Sequence, residues 1–328
     1  MRLLIASCLI VGCELVGVLH ACSQGCCTVG SSSLGGLESG VQPYKTLSVG
    51  ANYQFNSLTR AHQGTERISD PLHRTAGVGY FNLQIEYGLQ PRLSIVASIN
   101  YSGKTREITV ASGTGSTQFT ETVSFEGSGF GDVILLAKYQ LVKPGIPSPF
   151  ELAVGGGASL PTGSFTQERN GSQLSLDLQP GTGAIALIGW VFAMKSFPDL
   201  GLRAIGTVNY RYAGTNLDGY RLGDEVLVHV GGEYTVTDNI DGSVYLRARF
   251  ARQDYASRRI LNATGGSYVD VMPGIGYSDG SSFARVFTQF PVYRNVRGIQ
   301  LTLTYMLGVE YRYTFDFRGL VDVILPEL

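Results

Sequence analysis

Arg203 and Arg211 stand on one segment of the chain and Arg247 and Arg249 on another, and the segment between them carries Glu225, His229 and Glu233. Four guanidinium groups form a basic wall that selects solutes by sign and hydrogen bonding, or a set of ion pairs with the two glutamates between them. Lys138, Glu310 and Arg312 extend the same group, and Glu86, Glu151 and Asp270 recur in matching positions of other segments. A hydrolase would need a nucleophile and a base within hydrogen-bond reach, oriented by a third group. His229 is the only member suited to be that base, and no Gly-x-Ser-x-Gly elbow accompanies it. No enzymatic activity is expected. His62 and His73 could contribute at most to a weak metal site. Gly-rich stretches such as GTGAIALIG and VGGGA lack the following helix that a nucleotide site requires, and no cofactor is expected.

Most of these charges sit in segments that alternate. VEYRYTFDF, Val309 to Phe317, sets Val309, Tyr311, Tyr313, Phe315 and Phe317 against Glu310, Arg312, Thr314 and Asp316. A strand turns successive side chains to opposite faces, so this stretch has one apolar and one polar face. The first such segment, Thr46–Phe55, opposes Leu47, Val49, Ala51, Tyr53 and Phe55 to Ser48, Gly50, Asn52 and Gln54. About twelve segments have the roughly 9–11 residues that cross a bilayer at a tilt. They lie near Thr46–Phe55, Ala76–Tyr87, Leu93–Lys104, Gly131–Leu141, Phe150–Leu160, Gly183–Met194, Leu200–Tyr212, Glu225–Val236, Ile240–Phe250, Tyr268–Tyr277, Phe283–Tyr293 and Ile299–Phe317. The fourth, sixth and eleventh alternate poorly, which leaves their facing open.

The connections alternate too. Long polar ones (Ser57 to Thr75, Thr105 to Ser128, Pro161 to Thr182, Ala213 to Asp224, Ala251 to Ser267) exchange with short ones such as Gly88 to Arg92, Thr237 to Asn239 and Ser278 to Ser282. Arg294 to Gly298 is short where a long one is due. Long loops on one side and tight turns on the other are the signature of a transmembrane antiparallel up-and-down β-barrel, and an even strand count follows if both ends lie at the periplasm. The final segment is expected to close onto the first, its Tyr and Phe side toward lipid.

Composition agrees. Of 328 residues only 16% are charged, the net charge is −1, and 43 glycines accompany 18 Tyr and 15 Phe against a single Trp. A nucleic-acid binder would show a basic surplus, so no nucleic acid is expected as a partner. The five cysteines are Cys8, Cys13, Cys22, Cys26 and Cys27, which rules out a disulfide framework for the body. Residues 1–23 are read as an export signal: Arg2, an apolar run broken by Glu14, then small residues. Cleavage after Ala21-Cys22-Ser23 would leave Gln24 first, whereas Leu19-His20-Ala21-Cys22 also approximates a lipobox that would lipidate Cys22. Residues 24–44 then form a flexible Gly/Ser-rich leader bearing Cys26 and Cys27, which are weak candidates for a soft metal or for joining an envelope partner. Residues 45–317 form the barrel and 318–328 a tail.

The segments GSGFGDVILLAKYQL (Gly127 to Leu141), LAVGGGASLPTGSF (Leu152 to Phe165) and LQPGTG (Leu178 to Gly183) follow one another in an order that resembles the outer-membrane barrel family named for the meta-pathway of phenol degradation. The resemblance covers about Ser128 to Gly214. It implies a channel for small, often hydrophobic, solutes, and it marks Gly131, Asp132, Pro161, Thr162 and Gly163 as motif residues. Glycine and proline at these points also suit plain strand-end chemistry. The sequence therefore predicts an outer-membrane barrel, in contact with lipid, that passes small solutes. The alternative is a closed structural barrel that holds envelope partners through its loops and N-terminal cysteines.

Overall fold

The computed structural model describes residues 39–70, 72–112, 119–145 and 149–318. Residues 1–38, with Cys26 and Cys27, and the tail beyond Arg318 lie outside them. The alternating segments form the wall strands Thr46–Gly64, Thr75–Gln90, Leu93–Ser112, Val133–Val142, Phe150–Leu160, Ala186–Phe197, Leu202–Ala213, Glu225–Thr235, Ile240–Ala251, Gly266–Ser278 and Ser282–Asp316. Each pairs antiparallel with its neighbours in chain order, and the ring closes where Thr46 lies opposite Asp316 and Gln63 opposite Ile299. The closing strand is the one that carries VEYRYTFDF.

The last element is 35 residues long and crosses the wall twice. Phe283 to Val296 pairs with Gly266–Ser278, and Val296 to Asp316 pairs with Thr46–Gly64. The chain reverses at Gly298, whose φ of +66° lies in the left-handed region that glycine adopts at no steric cost. Eleven strand elements thus give twelve crossings, as the sequence predicts.

Side chains are inverted relative to a soluble sheet. On the first strand Ser48, Asn52, Gln54 and Asn56 are buried while Tyr53 and Phe55 are 47% and 39% exposed. On the closing strand Val309, Tyr311, Tyr313 and Phe315 are exposed. The outward row Val154, Val191, Val208, Val228, Ala248 and Val269 runs across six neighbouring strands. An apolar surface on this scale is incompatible with water and fits hydrocarbon. The three strands that alternate poorly are explained by their inner faces, because Ile134, Leu136, Ile188, Trp190, Phe192 and Phe287 point inward and are buried. Both faces of those strands are apolar, so period two carries no signal there.

Three connections depart from expectation. Pairing continues through Ser57 to Gly64, and Glu66–Ile68 folds back on Ala61 to Gln63, so much of the expected loop at Ser57 to Thr75 is ladder. The stretch expected as a loop at Thr105 to Ser128 contains a hairpin of Leu93–Ser112 with Phe119–Phe130. The hairpin stretch is rich in Thr, Val and Phe, which favour extended pairing, and each ladder satisfies backbone groups that a loop would leave to water. Phe119–Phe130 and Val133–Val142 then form one interrupted crossing, broken at Gly131-Asp132. The third connection, residues 161–185, bends into the barrel: Leu174 and Leu178 pack in a buried cluster with Leu58, Val78, Leu301, Leu303 and Met306.

The wall predicts its own test. Val208→Arg places a charge in the outward valine row and should lower the unfolding free energy in lipid vesicles by roughly 2–4 kcal/mol in a urea titration, whereas Val208→Leu should be nearly neutral. Equal stability of the two variants would show that this face does not meet lipid.

Candidate functional site

Strand register converts sequence spacing into rings around the lumen. Trp190, Asn209, Leu227, Arg249 and Tyr268 lie opposite one another on consecutive strands. One step toward the short-turn end follows the ring Phe192, Thr207, His229, Arg247 and Asp270. One step toward the long-loop end Arg211 faces Glu225. The charged residues singled out from the sequence sit on this inner face.

Most of them are paired. Glu225 is buried and receives a hydrogen bond from Arg249 Nε at 2.6 Å, with Arg211 at 3.8 Å. Asp270 is held by Arg294 and by Gln289 Nε2 at 2.7 Å, and Arg247 donates to Gln289 at 3.1 Å. Near the short turns Arg203 bridges Glu233 at 2.9 Å and Asp241 at 3.5 Å, Arg285 pairs with Glu310 at 2.9 Å, and Arg312 lies 4.9 Å from the Phe283 ring centre. A charge buried in this way is tolerable only when paired and hydrogen-bonded. His229 is buried in the ring beside Thr207 and Arg247.

Two cavities flank the rings. The one at the short-turn end has about 290 Å³ and is bordered by Ser39, Arg203, Glu233, Asp241, Glu310 and Arg312. The one at the long-loop end has about 100 Å³ and is bordered by Lys104, Asp132, Pro180, Arg211, Arg249 and Asp254, among others. They share no lining residue. Between them lies a buried layer that includes Tyr245, Met272, Phe287 and Met306. In the loop beside the second cavity, burial pushes the Asp254 carboxyl above its ordinary value, against the opposing hydrogen bonds from Tyr220 and Gly223 and the charges of Arg249 and Arg211.

Two chain segments narrow the lumen. At the short-turn end the described end of the leader is seated on the inner wall. Lys138, fully buried, donates to the carbonyls of Ser39 and Gly40 at 3.0 and 3.3 Å and to Glu86 at 3.1 Å. Glu86 also accepts the Gln42 N–H at 3.2 Å and Glu151 the Val41 N–H at 3.3 Å. Lys138 Nζ lies 4.9 Å from the Trp190 ring centre, across Gly155. A Cβ on Gly155 would come within 3.0 Å of Trp190 and 2.8 Å of the Ala137 carbonyl, so the glycine run VGGGA serves this close packing.

At the other end the inward loop is latched by the motif residues. Asp132 Oδ1 accepts the Gly163 N–H, and Oδ2 accepts the Thr182 N–H and hydroxyl, at 3.0, 3.0 and 2.5 Å. Val133 N–H donates to Thr162 Oγ1 at 2.9 Å. Gly131, Gly163 and Gly181 meet backbone to backbone, where a Cβ on Gly163 would lie 2.7 Å from the Gly131 carbonyl carbon. Pro161 starts the loop directly after the strand Phe150–Leu160, a place where no ladder N–H is needed. The three quoted motifs therefore converge on one structural knot. Farther along, Lys104 donates to the Gln179 carbonyl at 2.7 Å, and Arg106 pairs with the buried Asp177.

Several members of the site were not singled out from the sequence. Lys104 and Arg106 stand among predicted loop and strand-end residues, and Asp177 belongs to a loop whose polar composition gives no sign of entering the barrel. Arg285, Gln289 and Arg294 lie on the strand with poor alternation, shifted further by a bulge between Val269 and Asp270. Trp190, the single tryptophan, was the one available signal for an inward aromatic. Among the described residues no three His, Cys, Asp or Glu side chains converge on a metal site.

The fold is similar to that of an outer membrane channel from Pseudomonas putida F1, with a TM-score of 0.60 over 84% of this chain and 97% of that one at 14% identity. Further matches are a FadL homologue of Pseudomonas aeruginosa (TM-score 0.39, 10% identity, 84% and 91% covered) and the NanC porin (0.43, 11%, 81% and 98%). No family model and no curated protein matches the chain. The first likeness and the closed wall agree on the architecture, an antiparallel outer-membrane β-barrel, and the apolar belt places the protein in that membrane.

The latch yields a prediction. Asp132→Ala removes three acceptor contacts from the loop, worth about 3 kcal/mol together. Trypsin should then cut after Arg169, near the loop tip, much faster than in the unaltered protein while heat-modifiable gel mobility is retained. An unchanged cleavage rate would mean that the knot does not hold the loop.

Proposed function

We propose that the protein is a passive channel or transporter for small solutes across the outer membrane. The observation that carries this reading is a polar inner wall with a cavity at each end and buried side chains between them. A barrel of about twelve strands lies in width between the side-chain-filled eight-stranded barrels and the open 16–18-stranded ones, so on this reading passage depends on movement of that layer. Two members of this layer, Met272 and Met306, are methionines, whose side chains adapt their shape readily. The apolar clusters within the lumen favour solutes with a hydrophobic part, in keeping with the resemblance to the phenol meta-pathway barrel family. Selection by charge would fall to Arg203, Glu233, Glu310 and Arg312 at one mouth and to Arg211, Glu225 and Arg249 at the other, with Lys138, His229 and Arg247 shaping the bore between.

The buried layer also favours a second reading, a closed barrel that serves as an envelope anchor. Planar-bilayer recording separates the two. The full chain should give discrete conductance steps, and Met306→Ala together with Phe287→Ala should raise them by thinning the layer. Absence of current from both proteins, each folded by gel mobility, would favour the closed barrel.

A further inference from the structure

Three inward rings each lie opposite a glycine on a neighbouring strand: Trp190 opposite Gly155, Tyr245 opposite Gly231 and Phe287 opposite Gly274. Directly opposed residues share a face of the sheet, so each glycine leaves bare backbone beside a ring. A Cβ on Gly231 would come within 2.6 Å of Tyr245 Cδ1, and one on Gly274 within 3.1 Å of Phe287 Cβ. Phe287 meets a second glycine at its far end. Gly308 faces inward, opposite the buried Gln54, between the exposed Leu307 and Val309. A Cβ there would lie 2.5, 2.7 and 2.8 Å from Phe287 Cζ, Cε2 and Cε1. No other atom comes as near, so the space that Gly308 leaves is filled by this ring. Glycine weakens a strand interior, and it is found there where another group approaches closely.

The members of the buried layer are held in different ways. The Tyr245 hydroxyl donates to Glu233 at 2.7 Å. Arg285 lies 5.8 Å from the Tyr245 ring centre and 4.9 Å from that of Phe287, and its own position is fixed by Glu310 at 2.9 Å. Met272 and Met306 have flexible side chains. Phe287 is rigid beyond two torsions and has no polar atom to tether it. Its place is set by what it packs against: Arg285 on one side and the bare wall at Gly308 on the other.

We propose that Gly308 sets the aperture of the bore. By letting the Phe287 ring lie back on the wall, it fixes how far the layer projects inward and therefore the width of solute that passes. The inference rests on the channel reading and assigns the limit of solute size to one contact within it. A methyl group at position 308 points into the lumen, along the direction in which the ring would have to move. The ring is then driven off the wall and across the bore, since a close-packed interior has no void to absorb it.

Gly308→Ala, Phe287→Ala and the double variant test this with two readouts. In a urea titration in lipid vesicles Gly308→Ala should lower the midpoint, and the shift should vanish when Phe287 is already alanine, as a double-mutant cycle registers direct contact. In planar bilayers Gly308→Ala should lose most of the conductance of the unaltered chain and exclude smaller polyethylene glycols. The double variant should regain at least the original conductance. Gly274→Ala presses on the same ring at Cβ and serves in place of Gly308→Ala if that variant fails to fold. Equal midpoint shifts with and without the ring, or unchanged conductance in folded Gly308→Ala, would overturn the proposal and leave the channel standing. Absence of current from the unaltered chain and from Phe287→Ala would remove the channel and the aperture with it, whatever the midpoints show.

Discussion

Hydrocarbon offers no partner to a backbone N–H or C=O, and every other feature of this molecule follows from meeting that demand. The answer is one seam, where Thr46–Gly64 pairs with the second half of Ser282–Asp316. Without it two strand edges would lie open in lipid. With it the wall is complete, the apolar rows can face outward, and the polar rows are forced inward.

Forcing polar rows inward creates a second problem, which the lumen resolves locally. A barrel of this size is narrow, so charges opposite one another on neighbouring strands meet at contact distance. Glu225 with Arg249 and Arg211, and Asp270 with Arg294, meet on adjacent strands, while Lys138 reaches Glu86 across the strand between them. Each is strongly destabilising to break, since the survivor would remain a buried unpaired charge. The basic wall suggested by four arginines is thereby mostly neutralised.

The same narrowness lets two peptide segments act as fillers. The described end of the leader is held by Lys138, Glu86 and Glu151, and the loop of residues 161–185 is tied down by Asp132 and three glycines. Fillers fixed by hydrogen bonds at their edges leave the buried layer between them as the element that divides the bore. A solute path, on the proposed reading, depends on side-chain movement in that layer more than on movement of the wall.

Period-two patterning and loop parity, both local properties, were enough to predict the barrel, its twelve crossings and the closing role of VEYRYTFDF. They were enough because a strand facing lipid must place its apolar side chains on one side. The facing of the three ambiguous strands, the extended ladders beyond the membrane and the inward loop were not legible. Where a side chain such as Trp190 or Phe287 points into a crowded lumen, both faces are apolar and alternation vanishes. Nor could spacing show that Asp132, Gly163 and Thr182 meet, because they are brought together by strand neighbours and a loop that turns inward. The chain alone determined the two faces of its alternating strands; only closure of the sheet decided which inward side chains touch.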